Sequence, residues 1–298
     1  MRPDRLLSTA LFHPLHRLRS DGGKPRLPIL MYHSVSADPE RGVAAYYKVN
    51  IGPAVFRRHL RQLVEAGYRT MDVAGLARLV GGGEPLPPKT VVITFDDGFR
   101  NIYTEAFPVL QEHRFTATVF LPTAFIQGER RCFNGTECLT WDEVRQLRKA
   151  GVEFGSHSVS HPELVEAAWK EVEREVRDSR AEIEQQLGEA VTTFAYPYAF
   201  PQANRPFAKA LRNLLIEAGY SCCVTTEIGR VKAGDDPYRL KRLPANGLDD
   251  PAFFQAKLEG GYDWLAWPQG MVKKFKQGMP GRGKGTHAAV QVKHAAAD

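Results

Sequence analysis

The chain has 298 residues, 43% of them hydrophobic, enough for one large core or two small ones. Its net charge of +6 sits in the ends: residues 1–26 hold six Lys/Arg and two Asp (+4), residues 270–298 hold six Lys/Arg and one Asp (+5), and residues 27–269 are left with −3. A weakly acidic body argues against nucleic-acid binding, and no run approaches the ~18 apolar residues of a membrane-spanning helix.

Residues 1–26 read as a basic, solvated extension. A basic tip and the short apolar stretch from Leu6 to Phe12 are interrupted by His13, Pro14, His16 and Arg17 before any normal cleavage region. That makes a poor signal peptide, and cytoplasmic residence is the default expectation. The same stretch could instead touch a membrane surface or an anionic polymer as a short amphipathic helix. Next, residues 27–33 read as a short buried strand ending at His33. Phe56, Leu60, Leu63 and Val64 recur at helical spacing from Pro53 to Ala66, and Gly67 closes that helix. Residues 73–80 form a second, short helix. A strand then runs from Thr90 to Asp97, a helix from Ile102 to His113, and a strand from Thr116 to Leu121.

A loop leads to Thr140, whose partner Glu143 three residues on forms a capping-box signature for a helix ending near Gly151. The strand 151–155 follows and delivers a histidine pair. Residues 163–187 give the clearest helix, with Val165, Ala168, Val172, Val176, Ile183 and Leu187 on its core face and Gly188 at its end. The strand 192–196, the helix 207–218 and the strand 220–224 complete a β/α alternation, which implies a parallel sheet, open or closed. Residues 269–298, rich in Gly and Lys and without periodicity, read as a disordered basic tail. Cys222 and Cys223 are neighbours that point to opposite faces of a strand. Cys132 and Cys138 could close a small disulfide, although nothing else indicates an oxidising compartment and free thiols are preferred.

Two motifs carry chemistry. Asp96 and Asp97 lie side by side in Thr94-Phe95-Asp96-Asp97-Gly98 at a strand end, and His157 and His161 are four apart in His157-Ser158-Val159-Ser160-His161-Pro162 at another. Gly98 permits the turn that lets both carboxylates face one mouth. One carboxylate can bind a cation while the other takes a proton from water, and two histidines with a carboxylate form a catalytic zinc pattern. His157 and His161 reach one ion if residues 158 to 161 make a helical turn, with Pro162 opening the next helix. Alone, each motif has a bland reading as a solvated turn. Both, however, end strands of one β/α pattern, whose carboxyl ends carry active sites.

These motifs resemble the first two of the polysaccharide deacetylases, the NodB-type family. Phe194-Ala195-Tyr196-Pro197-Tyr198 approximates the third, and the resemblance covers residues 27 to 245. It implies a single distorted (β/α) barrel domain, 27–268, and metal-dependent removal of N- or O-acetyl groups from an acetylated glycan, usually an N-acetylhexosamine polymer. It further implies Asp96 as general base, Asp97, His157 and His161 as metal ligands, and the backbone N–H of Tyr198 as an oxyanion donor. The N/O ligation suits zinc and admits cobalt, nickel or manganese.

Two departures stand out: Ala195 occupies the place of an orienting arginine, and no late Leu-x-His supplies the general acid. The early Met31-Tyr32-His33 is similar to that of exopolysaccharide and poly-N-acetylglucosamine members, which makes His33 the candidate acid. Arg242 is a candidate for the missing charge. Trp141 and Tyr32 could stack on a sugar, or fill the core. The same departures motivate an alternative, a catalytically impaired glycan-binding relative.

Overall fold

The computed structural model describes residues 3–18, 25–38, 49–266 and 269. Runs rich in β-branched and aromatic residues build eight parallel strands: β1 Ile29–Tyr32, β2 Arg69–Met71, β3 Thr90–Phe95, β4 Thr118–Leu121, β5 Glu153–Ser156, β6 Thr193–Ala195, β7 Cys222–Ile228 and β8 Leu240–Pro244. Seven of them close on themselves in the order β1-β8-β7-β6-β5-β4-β3 and back to β1. The eighth, β2, pairs with Thr90–Val92 of β3, while β4 pairs with Thr94 and Phe95 of the same strand. Because β1 runs along residues 92–95, β2 and β4 share the other edge of β3. They divide it between its two ends, and this makes the barrel irregular.

Helices cover the barrel: α1 Pro53–Glu65, α2 Val73–Gly81, α3 Phe107–Glu112 with a π-helical turn Ile102–Ala106 before it, α4 Trp141–Lys149, α5 Trp169–Leu187, α6 Arg205–Glu217 and α7 Pro251–Leu258. Their starts follow local chemistry. Asp72 caps α2 and Asn204 caps α6, while Thr140 and Glu143 form the reciprocal capping box expected for α4. The β7–β8 crossover holds no α-helix, and its Val231–Lys232 pairs antiparallel with Arg26–Leu27 below the barrel.

Period-two alternation sorts the strand residues into two cores. Ile29, Val92, Phe120, Ala195, Cys222, Val224 and Leu240 fill the barrel interior. Leu30, Tyr32, Ile93, Phe95, Val119, Leu121, Phe194, Cys223 and Leu243 pack outward against the helices. Cys222 and Cys223 thus face opposite sides, as expected. All four cysteines are free thiols.

Two expectations are corrected, and one open alternative falls to the core. The amino-terminal segment is helical from Pro3 to Leu18 and docked on the barrel: Trp264 Nε1 donates to Ser8 Oγ at 3.0 Å and Phe12 stacks on Trp264 at 4.9 Å. A buried serine and an aromatic stack replace the solvation expected there. Helix α5 begins at Trp169, not at 163, because residues 158–168 are spent on an irregular loop. Trp141 and Tyr32 are core residues: Trp141 is buried, and Tyr32 is sealed beneath Phe56 with its hydroxyl 3.1 Å from His59 Nδ1. The tail from residue 270 lies outside the described residues.

Candidate active site

The interior phase of four strands ends in polar side chains at the barrel's carboxyl mouth. Ile29 and Met31 lead to His33, Val92 and Thr94 to Asp96, Gly155 to His157, and Leu240 to Arg242. Gly155 has no room for a side chain, since a Cβ there would lie 2.3 Å from Thr193 Oγ1 and 2.6 Å from the Phe120 ring. Strict alternation would turn Asp97 away from Asp96. Asp97 instead adopts φ 70 and Gly98 φ 59, and both carboxylates approach His157 Nε2, Asp97 Oδ1 at 3.6 Å and Asp96 Oδ2 at 4.0 Å. A Cβ on Gly98 would meet Ile126 and Leu121 at 2.9 Å. Asp97, Ser158, His161 and Tyr198 all have left-handed backbone without being glycine. Such strain persists only where surrounding contacts impose it, and here four such residues belong to one cluster or its flanking turns.

Asp97, His157 and His161 converge. Asp97 Oδ1 lies 3.6 Å from His157 Nε2 and 3.4 Å from His161 Nε2, and the two Nε2 atoms are 3.2 Å apart. His157 Nδ1 donates to the Ala195 carbonyl at 2.8 Å, which fixes the tautomer and leaves Nε2 as a lone pair aimed at the cluster. Burial lowers both imidazoles below their usual range, His161 to about 3, so each is in its neutral, ligating form. Burial and the neighbouring Asp96 charge push Asp97 up to about 8. Its Oδ1 is buried with no hydrogen-bond partner. An orphaned carboxylate oxygen within 3.6 Å of two imidazole Nε2 atoms is a donor set that fits a divalent cation.

The histidines do not meet through a helical turn. Residues 158–161 are irregular, and α5 holds them with Glu175, a buried carboxylate that accepts from the Val159 and Ser160 amides at 2.8 Å and the Ser160 hydroxyl at 2.7 Å. Ser158 N–H donates to Ser156 Oγ at 3.2 Å, and Ser156 Oγ lies 2.6 Å from Ser179 Oγ. Glu175, Ser156 and Ser179 escaped the sequence reading. Glu175 and Ser179 do carry a signal, because they interrupt the stripe of Val172, Val176 and Ile183 and must find partners inside.

Asp96 stands beside the cluster. Arg242 grips it with two parallel bonds, Nη1 to Oδ1 at 2.7 Å and Nη2 to Oδ2 at 2.8 Å. Nε of the same arginine donates to the Thr225 carbonyl at 3.0 Å. Burial would raise the Asp96 carboxyl, but the Arg242 charge, His157 and the Arg242 hydrogen bonds outweigh it and hold it well below the carboxylate range. Arg242 therefore supplies from β8 the charge that Ala195 lacks. His33 reaches the same mouth, with Nε2 3.9 Å from Asp96 Oδ2. Burial lowers His33 to about 4, against the opposing pull of Asp96. Tyr198 follows the β6 strand at φ 56, with its ring 4.6 Å from that of His161 and half exposed at the rim.

Fold and cluster together define a parallel α/β barrel with a carboxylate–histidine cluster at its carboxyl mouth. Residues 83–222 match the family model described as polysaccharide deacetylase, and the chain carries a deacetylase domain of that family. It is 27% identical over 229 residues to YxkH of Bacillus subtilis (strain 168), assigned by name to the polysaccharide deacetylases; the match covers 76% of this chain and 75% of that protein. It is 32% identical over 120 residues to the poly-beta-1,6-N-acetyl-D-glucosamine N-deacetylase of Escherichia coli (strain K12), covering 37% of this chain but only 18% of that one. Among solved structures, deacetylase PplD of Streptococcus pyogenes superposes with a TM-score of 0.68 at 24% identity, over 79% of this chain and 99% of that one. IcaB from Ammonifex degensii gives 0.66 at 23% identity, over 78% and 97%. These last two likenesses are of fold.

Proposed function

We propose that the chain removes acetyl groups from nitrogen in a hexosamine-containing polysaccharide or glycan precursor, with a divalent cation at Asp97, His157 and His161. The observation that carries this reading is the convergence of those three donors beside Asp96, a carboxylate held apart from them by a bidentate arginine. The choice of an N-acetylhexosamine follows the named activity of the Escherichia coli relative. A cation bound there would polarise the acyl oxygen and acidify water, and zinc suits the donors best, with cobalt, nickel or manganese as alternatives.

The chain's own groups do the rest. Asp96 takes the proton of the attacking water; its Oδ2 lies 4.0 Å from His157 Nε2 and 3.9 Å from His33 Nε2. Arg242 keeps that carboxylate ionised and fixed in orientation. The water oxygen bonds to the acyl carbon, and the Tyr198 N–H donates to the acyl oxygen as it gains charge. The C–N bond then breaks, acetate departs, and the amine leaves with the proton that Asp96 removed, relayed through His33.

Purified full-length chain, loaded with zinc and incubated with N-acetylglucosamine oligomers, should release acetate detectable by mass. Asp96→Asn should keep its metal and lose ~10²–10⁴-fold in kcat, the range of general-base catalysis. Asp97→Ala should lose both metal and rate, and His33→Ala should lose rate with metal content intact. Metal-loaded protein that releases no acetate from any N-acetylated glycan would overturn the reading. The impaired-binder alternative loses one of its two motives, since Arg242 stands where the orienting charge was missing.

A further inference from the structure

The amino-terminal helical segment, which the deacetylase reading does not use, exposes five leucines: Leu6, Leu7, Leu11, Leu15 and Leu18. Leu7, Leu11, Leu15 and Leu18 recur every three to four residues and so share one face. The opposite face is anchored. Ser8 and Phe12 meet Trp264, His13 lies 2.6 Å from Glu259, and His16 lies 2.8 Å from Arg230. The leucine face is therefore held outward by a specific dock, and a contiguous aliphatic stripe displayed in that way marks a contact surface.

Charge indicates what covers it. Arg17 stands between Leu15 and Leu18 and walls a cavity of about 460 Å³ together with Arg26, Lys89 and Arg230; Glu259 is the acidic residue of that wall, and Asp263 pairs with Arg230 at 3.0 Å. That sets four cations against two carboxylates at one end of the stripe. Residues 1–26 as a whole carry +4, against −3 for residues 27–269. A second copy of the chain, docked through the same face about a twofold axis, would bring two such basic segments together. An anionic bilayer offers hydrocarbon to the leucines and phosphate to the cations. No helix among the described residues is long and apolar enough to cross a membrane, so this one would lie on the surface. We propose that the segment Pro3–Leu18 docks the protein on anionic lipid bilayers, with its leucine face in the interface and the Arg17 cavity at the headgroups.

Co-sedimentation of the full chain with phosphatidylcholine vesicles, with and without phosphatidylglycerol, tests this. The wild-type chain should partition onto the anionic vesicles, less onto pure phosphatidylcholine, and less again as salt rises. The double variant Leu11→Glu, Leu15→Glu should partition roughly tenfold more weakly, since it both removes buried apolar area and adds repelled charge. Both leucines are exposed, so an unchanged melting temperature and acetate-release rate will show that the variant is folded. Equal partition of variant and wild type, or no partition onto anionic vesicles, would overturn the proposal. So would a dimer in sedimentation velocity that depends on the leucines, without vesicle binding.

Discussion

Arg242 and Asp96 form a pair in which both charges are fully withdrawn from water, and neither tolerates loss of the other. Removing the arginine leaves a buried carboxylate without its counter-charge, which costs about 3–5 kcal/mol. Arg242→Met should therefore lower the urea midpoint sharply, whereas adding Asp96→Asn to it should recover a large part of the loss. A double-mutant cycle reads this coupling directly, and additive effects would show that the two side chains stabilise the barrel separately. The pair was half legible in the sequence. Asp96 sits on the same strand face as Val92 and Thr94, and Arg242 on the same face as Leu240, so each can be assigned inward by alternation alone. What alternation does not give is the register between β3 and β8, which are not hydrogen-bonded to each other: β1 lies between them. The distance from Asp96 to a residue 146 positions on is a property of closure. His33, Asp96 and His157 were legible for a related reason, as each caps an inward row; Asp97 and Tyr198 were reached through the motif, because their left-handed backbone breaks the rule that would have placed them.

Among the elements, the loop 158–161 and helix α5 act as one piece. Glu175 accepts three hydrogen bonds from that loop, both amides on one oxygen and the hydroxyl on the other. Glu175→Ala would leave all three donors without their acceptor. It should weaken zinc binding by ~10–100-fold, the cost of losing a partner that orients metal-binding groups, while leaving the helical circular dichroism unchanged. Calorimetric zinc titration of the two proteins decides it; equal affinities would mean that the loop holds its shape without the clamp. The expected helical turn at 158–161 failed because a four-residue spacing has more than one backbone solution, and a carboxylate beneath the turn selects the non-helical one.

Helix α4 behaves oppositely: its Thr140–Glu143 box is wholly local and was readable in advance. What was not readable is that Arg130 joins Glu143 at 2.5 and 2.9 Å and Arg100 at 3.2 Å. Burial raises the Glu143 carboxyl, but the Arg130 bonds, the Thr140 amide and Arg100 prevail and lower it from 4.5. Its folded value is thus below its unfolded one, and the unfolded chain binds the proton first as pH falls. The stabilisation is therefore complete above the unfolded value and fades as pH drops from 4.5 toward the lower folded value. Glu143→Gln retains capping, so the gap in melting temperature between it and wild type should be widest at neutral pH and shrink on acidification; a gap independent of pH would assign the whole effect to packing. The Asn134-Gly135 turn, with φ 49 and 79, shows a local signal passed over: it joins Cys132–Phe133 to Thr136–Glu137 as a hairpin inside what reads as plain loop.

For the whole barrel, the order of elements was written in the sequence, and closure was not. Alternating strands and helices fix a parallel sheet but leave it open or closed, and the chain returns to β1 through the β7–β8 connection, the one crossover that lacks a helix to advertise it. Closure matters to the site because it sets Arg242 of β8 against Asp96 of β3, beside the Asp97, His157 and His161 cluster, so the complete arrangement exists only when the ring does. Metal binding should then appear as global stability. At a zinc concentration of ~100 times Kd, binding to the folded state alone adds about 2.7 kcal/mol, which for a domain of this size raises Tm by roughly 5–10 °C. The orphaned Asp97 Oδ1 sets the sign of the control. Asp97→Ala removes a buried carboxyl group whose Oδ1 has no hydrogen-bond partner, so its metal-free Tm should equal or exceed that of wild type, while its zinc-dependent shift should vanish. Differential scanning calorimetry with and without a chelator measures both quantities without any substrate. A zinc-dependent shift surviving in Asp97→Ala would mean that zinc stabilises the barrel from somewhere other than the cluster at its mouth.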